Sequence, residues 1–262
     1  MNRADRRATG TQPDPLFCQV AVGLIHRADS TKPQMHKSFR ELLQRDAALH
    51  RWVMGVFDRE SSANVAHGRC AIVQDFLAHP RKPQWLLLID DDMTFGADLL
   101  DKLLAAADPK ERPLVGGLCF GVRPVKGPDG REHFNECGGS PLELFPTIYV
   151  LDDERKMHHV VGYPLDSVIA AHSTGAACLL IHRSVLADAR WKADGHPLPW
   201  FRESVMDGTP VSEDQFFCLK AGALGYPLHI HTGARTGHVK VFIADEDLFL
   251  AQRSALAEPV AS

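Results

Sequence analysis

Three carboxylates in a row, Asp90-Asp91-Asp92, close the apolar run Trp85-Leu86-Leu87-Leu88-Ile89. Adjacent negative charges repel, and a hard divalent cation such as Mn²⁺ or Mg²⁺ relieves the repulsion while taking further ligands from a substrate phosphate. Positions i and i+2 of an extended segment point the same way, so Asp90 and Asp92 share a face with Asp91 between them. A polar turn after a strand is the inert reading of the same triplet. A second acidic pair, Glu213-Asp214, follows Ser212. Serine is a favoured N-cap, which puts both carboxylates in the first turn of a helix, where the dipole alone accounts for part of their presence. The third group is His229, His231 and His238.

Two chemistries compete for these clusters. A zinc hydrolase would use a histidine with an aspartate and keep one coordination position open for water. HExxH is absent, however, and among fourteen histidines incidental pairs are common. Transfer from a nucleotide diphosphate sugar uses all three clusters. The diphosphate is anionic, so a divalent cation must stand between it and the aspartates, where it also neutralises charge growing on the leaving group. A separate carboxylate then takes the proton of the attacking hydroxyl; a single base on the far side of the sugar inverts the anomeric centre.

The elements that must position these groups follow from hydrophobic period and turn signals. Pro80 and Pro83 bound the Trp85 run upstream, which makes it a buried strand with its carboxylates at the carboxyl end, the edge where open α/β sheets bind ligands. Strands are expected at Phe17–Ile25, Trp52–Phe57 and Leu114–Phe120, with helices over Pro33–Arg51, Asn64–Leu77 and Gly96–Ala107 between them. This alternation predicts an α/β fold with a mostly parallel central sheet covered by helices on both faces. Neither GxGxxG after the first strand nor GxxxxGK[ST] anywhere is present, so dinucleotide and P-loop readings lack their specific support. From 121 to 166, Pro and Gly punctuate short strands at Leu144–Leu151 and Lys156–Val161, the pattern of a smaller antiparallel portion. A strand is expected within Ser167–His182, a short helix over Arg183–Ala189, the Ser212-capped helix, a last strand at Leu224–Ile230, and a loop over Thr232–Thr236. At Gly175-Ala176-Ala177 small residues allow either a ligand or a neighbouring strand to approach the backbone.

In the order and placement of its motifs, roughly residues 18–243 resemble the GT-A-type nucleotide-diphospho-sugar glycosyltransferases, especially family 2-like members. Asp90-Asp91-Asp92 fits the family's DxD-type motif after an apolar strand, and Glu213-Asp214 fits its Glu-Asp pair at the start of a later helix. The resemblance implies a GT-A fold with Asp214 as catalytic base and Glu213 beside it. It further implies Asp92 on the metal, Asp90 as a second metal carboxylate or, like Asp91, on the ribose or a metal-bound water, and a downstream metal-binding histidine, His238 ahead of His231. His26, Arg27 and Asp29 occupy the loop that surrounds the base and ribose in the family, and Gly175-Ala176 the turn close to the transferred sugar. Arg69 lies in a stretch like the family's Arg-Asn helix, where it would balance the nucleotide's charge; Cys70 stands where the family has asparagine. Trp200 and Phe201, ahead of the Glu-Asp helix, would stack on a sugar ring or pack in the core. The implied donor is a nucleotide diphosphate sugar, a UDP-sugar by preference, with Mn²⁺ or Mg²⁺. The hydroxyl acceptor stays open among a saccharide, a protein, a lipid carrier and a modified base. A retaining transferase, a sugar nucleotidyltransferase and a noncatalytic interaction protein are the other uses of such a fold.

With 262 residues the chain can bury a full core as one domain. Residues 1–15 and 251–262 read as tails flanking a domain over 16–250, with a nucleotide-binding half at 16–120 and an acceptor-binding half at 121–250. A net charge of −4 without a basic tract argues against nonspecific nucleic-acid binding as the main activity. Six widely spaced cysteines, none in a CxxC pair, suit a reducing compartment. No secretory h-region and no run of membrane-spanning length is present, which makes a cytoplasmic protein without an integral membrane segment the expectation.

Overall fold

The computed structural model describes residues 15–26, 32–61, 64–125, 142–206 and 208–241, with Glu246 and Leu250. The tail expected at 251–262 and nearly all of that at 1–15 lie outside them. The apolar runs become strands β1 (Val20–His26), β2 (Val53–Glu60) and β3 (Trp85–Asp90), and the segments between them become α1 (Pro33–Leu49) and α2 (Val65–Ala78). Proline fits the first turn of α1 because its missing N–H would have no helical partner there. Asn64 caps α2 by accepting from Ala66 N–H. After β3 come β4 (Met93–Phe95), α3 (Leu99–Ala106) and β5 (Leu114–Leu118).

The chain then leaves the central sheet. Strands β6 (Phe120–Pro124) and β7 (Leu142–Pro146) form a hairpin ladder, and β8 (Ile148–Leu151) pairs with β9 (Met157–His159). The single strand expected over Leu144–Leu151 is therefore two, broken after Pro146. Strand β10 (Val168–Ala171) joins the edge of the main sheet, β11 (Ser173–Thr174) pairs with β8, and β12 (Cys178–His182) re-enters the centre. Helix α4 (Arg183–Ala187), the β13 (Ser204–Met206)–β14 (Thr209–Val211) ladder, α5 (Glu213–Ala223) and β15 (Leu228–His238) complete the fold. The expected loop Thr232–Thr236 is instead the middle of β15, which continues to His238.

The main sheet runs β10-β15-β5-β12-β3-β1-β2, with β4 on the far part of β15. Pairs β1/β2, β1/β3 and β5/β15 are parallel; β12 is antiparallel to β3 and β5, and β10 and β4 are antiparallel to β15. The sheet is thus mixed, not mostly parallel. A parallel connection needs a crossover, usually helical, whereas the described chain between β5 and β12 consists of hairpins and short strands, which deliver β12 in the opposite direction.

Strand β3 is apolar from Trp85 to Ile89 because both of its faces are covered there. Leu86 and Leu88 pack with Ile72 and Phe76 of α2, Val185 of α4 and Phe217 of α5; Leu87 and Ile89 pack with Met35 and Leu42 of α1 and Leu99 and Leu103 of α3. Helix α2 lies so close to β1 that a Cβ on Gly23 would stand 2.6 Å from Ile72 Cγ2. The described cysteines Cys18, Cys70, Cys119, Cys178 and Cys218 are free thiols; Cys137 lies outside the described residues. Among the described residues no helix is long and apolar enough to cross a membrane.

Candidate active site

The acidic triplet sits where β3 leaves the sheet. Asp91 N–H still donates to Ile25 carbonyl at 3.1 Å, and the chain then turns directly into β4. That turn decides what Asp92 meets. Strand β4 pairs with the end of β15, Met93 opposite His238, and Val239 N–H donates to Asp92 carbonyl at 2.7 Å. His238 Nε2 consequently reaches Asp92 Oδ2 at 2.8 Å, while its Nδ1 donates to Phe120 carbonyl at 3.0 Å. Lys240 Nζ reaches the same Oδ2 at 3.1 Å. Burial pushes the Asp92 carboxyl upward, but His238 and Lys240 outweigh it and hold it below its ordinary value. For His238 burial lowers the pKa, and the Asp92 and Phe120 hydrogen bonds more than reverse this, so it lies above the usual histidine value.

Arg69 ties the strand end to the Glu-Asp helix. Its side chain, 3% exposed, comes from the interior face of α2. Nη2 donates to both oxygens of Asp90 at 2.9 Å, and Nη1 donates to Glu213 Oε1. Burial alone would lower its pKa; Asp90, Glu213 and Asp214 together raise it and keep the guanidinium charged. Glu213 carries the opposite imbalance. Burial, then the neighbouring Asp214, lift its carboxyl above the ordinary value against the pull of Arg69.

Asp214 occupies the second position of α5. Ser212 and Gln215 form a capping box, and Ser212 Oγ also donates to Asp214 Oδ1, as does Gln215 N–H at 2.8 Å. The other oxygen faces the Gly175 turn: a Cβ there would lie 3.5 Å from Asp214 Oδ2 and 3.8 Å from Thr147 Oγ1. The Asp214 charge also acts on Tyr149, whose phenol pKa is raised first by burial and then by that charge.

Asp90, Asp91, Asp92 and His26 line a cleft of about 310 Å³, together with Lys32, Ser61 and Lys240. His26 Nε2 also lies 3.2 Å from Asp58 Oδ1. Arg27 and Asp29 lie outside the described residues. Ala176 is fully buried in the core behind the Gly175 turn, so its side chain presents nothing to the cleft. His231 accepts from Gly233 N–H within β15 and does not reach Asp92. Trp200 and Phe201 are core residues: Trp200 donates to Leu186 carbonyl, and the Phe201 ring stacks on Phe217 at 4.5 Å. Cys70 explains part of this placement, since Phe201 N–H donates to its sulfur at 3.4 Å. Lys32, Ser61, Tyr149 and Lys240 escaped the sequence reading. For Lys240 a signal exists, because it stands two residues beyond His238 at the end of a strand and so on the same side.

No protein-family model and no curated protein matches the sequence. Solved structures do. The chain is similar in fold to A197 from STIV. The two share 13% identity with a TM-score of 0.50, over 85% of this chain and 86% of that one. Weaker likenesses extend to GalNAc-T7 with UDP, GalNAc and Mn²⁺ (14% identity, TM-score 0.47, 87% of this chain and 45% of that one) and to S. aureus TarS 1-349 (13%, 0.42, 84% and 60%).

Among the described residues no group of three or more His, Cys, Asp or Glu side chains is arranged to hold a metal ion by itself. The Asp92–His238 pair nonetheless suits an ion that draws other ligands from a substrate. The Phe120 carbonyl fixes the ring so that Nε2 faces Asp92, the outer hydrogen bond typical of a ligating histidine. Mg²⁺ and similar ions commonly use one or two protein ligands and substrate phosphates. Asp90 is differently engaged, with both of its oxygens on Arg69.

Proposed function

We propose that this chain is a metal-dependent glycosyltransferase of the GT-A type that moves a sugar from a nucleotide diphosphate donor, preferably a UDP-sugar, to an acceptor hydroxyl with inversion. One observation carries the reading: Asp92 and His238, far apart in sequence, meet at 2.8 Å, and Arg69 bridges Asp90 to Glu213, the chain neighbour of the base candidate Asp214. Asp92 and His238 would hold Mn²⁺ or Mg²⁺, which when bound neutralises the diphosphate. His26, Lys32 and Ser61, which line the cleft together with Asp91, would surround the nucleotide. The described residues Gly175 and Tyr149 border the acceptor side, and the missing Cβ of Gly175 leaves room for a hydroxyl beside Asp214. Asp214 removes the proton of that hydroxyl, the oxygen bonds to the anomeric carbon, and the carbon–oxygen bond to the diphosphate breaks with the electron pair leaving on the nucleotide. Glu213 serves as an anchor for Arg69, not as a second base. Arg27 and Asp29 keep the ribose-side assignment that the motif resemblance gives them.

The direct test is hydrolysis and binding of a panel of nucleotide diphosphate sugars, with and without Mn²⁺, by the unmodified protein and Asp92→Ala. The expected result is metal-dependent turnover of one donor, lost in Asp92→Ala. Failure to bind any donor in either condition refutes the reading, and release of pyrophosphate from a nucleoside triphosphate reassigns the site to nucleotidyl transfer.

A further inference from the structure

Asp92 is held by two basic side chains at once, and both reach the same oxygen: His238 Nε2 at 2.8 Å and Lys240 Nζ at 3.1 Å from Oδ2. The backbone beneath them is pinned by the Met93–His238 pairing and by the 2.7 Å bond from Val239 N–H to Asp92 carbonyl. Lys240 follows immediately. Its Cα is therefore held near Asp92 while its four-carbon stem can pivot. The side chain is 41% exposed and borders the cleft with His26, Lys32 and the acidic triplet.

An ammonium and a divalent cation cannot keep contact distance on one carboxylate oxygen cheaply, because the doubled charge doubles their repulsion. Repulsion between an ammonium and a divalent ion at such a separation exceeds what a half-exposed ion pair contributes. With an ion on Asp92, the ammonium needs another anion within the reach of its stem. The donor's diphosphate is the anion that the same ion brings into the cleft. Resting on the glycosyltransferase reading above, we infer that Lys240 is a displaceable counter-ion: it leaves Asp92 when a divalent cation is bound there and pairs with the diphosphate of the donor, so that cation and donor each tighten the binding of the other. Linkage makes this coupling reciprocal.

Removing the charge then has two effects of opposite sign. Lys240→Met keeps the apolar stem and takes away the competitor, so Mn²⁺ alone should bind the full-length variant about three-fold more tightly, the scale of a part-exposed ion pair. UDP at saturating Mn²⁺ should bind roughly ten-fold more weakly, within the usual range of coupling between two sites. Free Mn²⁺ measured by electron paramagnetic resonance gives the first constant and titration calorimetry with UDP the second. Lys240→Arg, which keeps the charge, should stay close to the unmodified protein in both. Tighter Mn²⁺ binding with unchanged UDP binding overturns the inference, because Lys240 would then only balance Asp92. Parallel weakening of both ligands also overturns it, as that is the mark of a structural support. A protein with native Lys240 that binds neither Mn²⁺ nor UDP overturns the glycosyltransferase reading itself; one that binds both, with Lys240→Met indistinguishable from it, overturns only the role of Lys240.

Discussion

Replacing Arg69 by methionine removes a buried charge while keeping most of the side chain's length, and it leaves Asp90 and Glu213 facing each other without the guanidinium between them. Removing one partner of a buried ion pair costs about 3–5 kcal/mol. Asp90 and Glu213 retain 23% and 15% exposure, so water can partly solvate them, and the low end, about 3 kcal/mol, is the better expectation. For a chain of this size that corresponds to a fall in Tm of roughly 9 °C. The pH dependence has a definite sign. The folded-state pKa of Glu213 already lies above its ordinary value of 4.5, through burial and Asp214, with Arg69 opposing the rise. A carboxyl whose pKa is raised by folding contributes its stability below the unfolded value and loses it as pH climbs through the folded value. Without Arg69 the rise grows, so Arg69→Met should lose more stability at pH 8 than at pH 5. Thermal unfolding of the unmodified protein, Arg69→Met and Arg69→Lys at both pH values checks this, with the lysine variant intermediate because it restores charge but not the two-pronged contact with Asp90. A loss below about 1 kcal/mol, the scale of an exposed pair, or a loss identical at the two pH values, would refute the reasoning.

Other perturbations separate the site from its scaffold. Asp214→Asn should lower kcat by roughly 10²–10⁴-fold with little change in donor affinity, as steady-state kinetics and donor titration would show, because a base acts mainly in the transition state. Nearly unchanged turnover would remove Asp214 from that role. Gly23→Ala should destabilise the fold by about 1–3 kcal/mol, because the new methyl would press on Ile72 and Leu88 at 2.6 and 2.9 Å. Denaturant unfolding measures it; an unchanged midpoint would mean that α2 can shift away from β1 without cost.

The outline of the site was legible where chemistry is written locally. A short apolar run bounded by prolines and ending in acids reads as a buried strand with a charged end, and Ser212 before Glu213-Asp214 marks a helix start through side chain to backbone bonds spanning a single turn. Both features survive folding because they depend on neighbours within a few residues. The expected helix–strand alternation through β5 also held for that reason, period and caps being local signals.

Direction and contact were not legible in the same way. Nothing local distinguishes a parallel from an antiparallel β12, since a fully covered central strand is apolar in either orientation; the route of the chain through β6–β11 decides it. Trp200 and Phe201 suited a binding platform or a core equally well until Phe217 and Leu186 closed over them. His238 was preferred to His231 by the motif resemblance alone, and the register of β4 against β15 sets it beside Asp92. Arg69 could have been a solvated charge; tertiary packing buried it and made it the bridge between Asp90 and Glu213, which lie 21 and 144 residues from it along the chain. The sequence by itself determined which groups carry charge and, through β5, the alternation of strands and helices, because those follow from side-chain chemistry and short-range period. Tertiary structure alone decided which charges share a partner, because an ion pair across the sheet exists only once the core has fixed the strands that carry it.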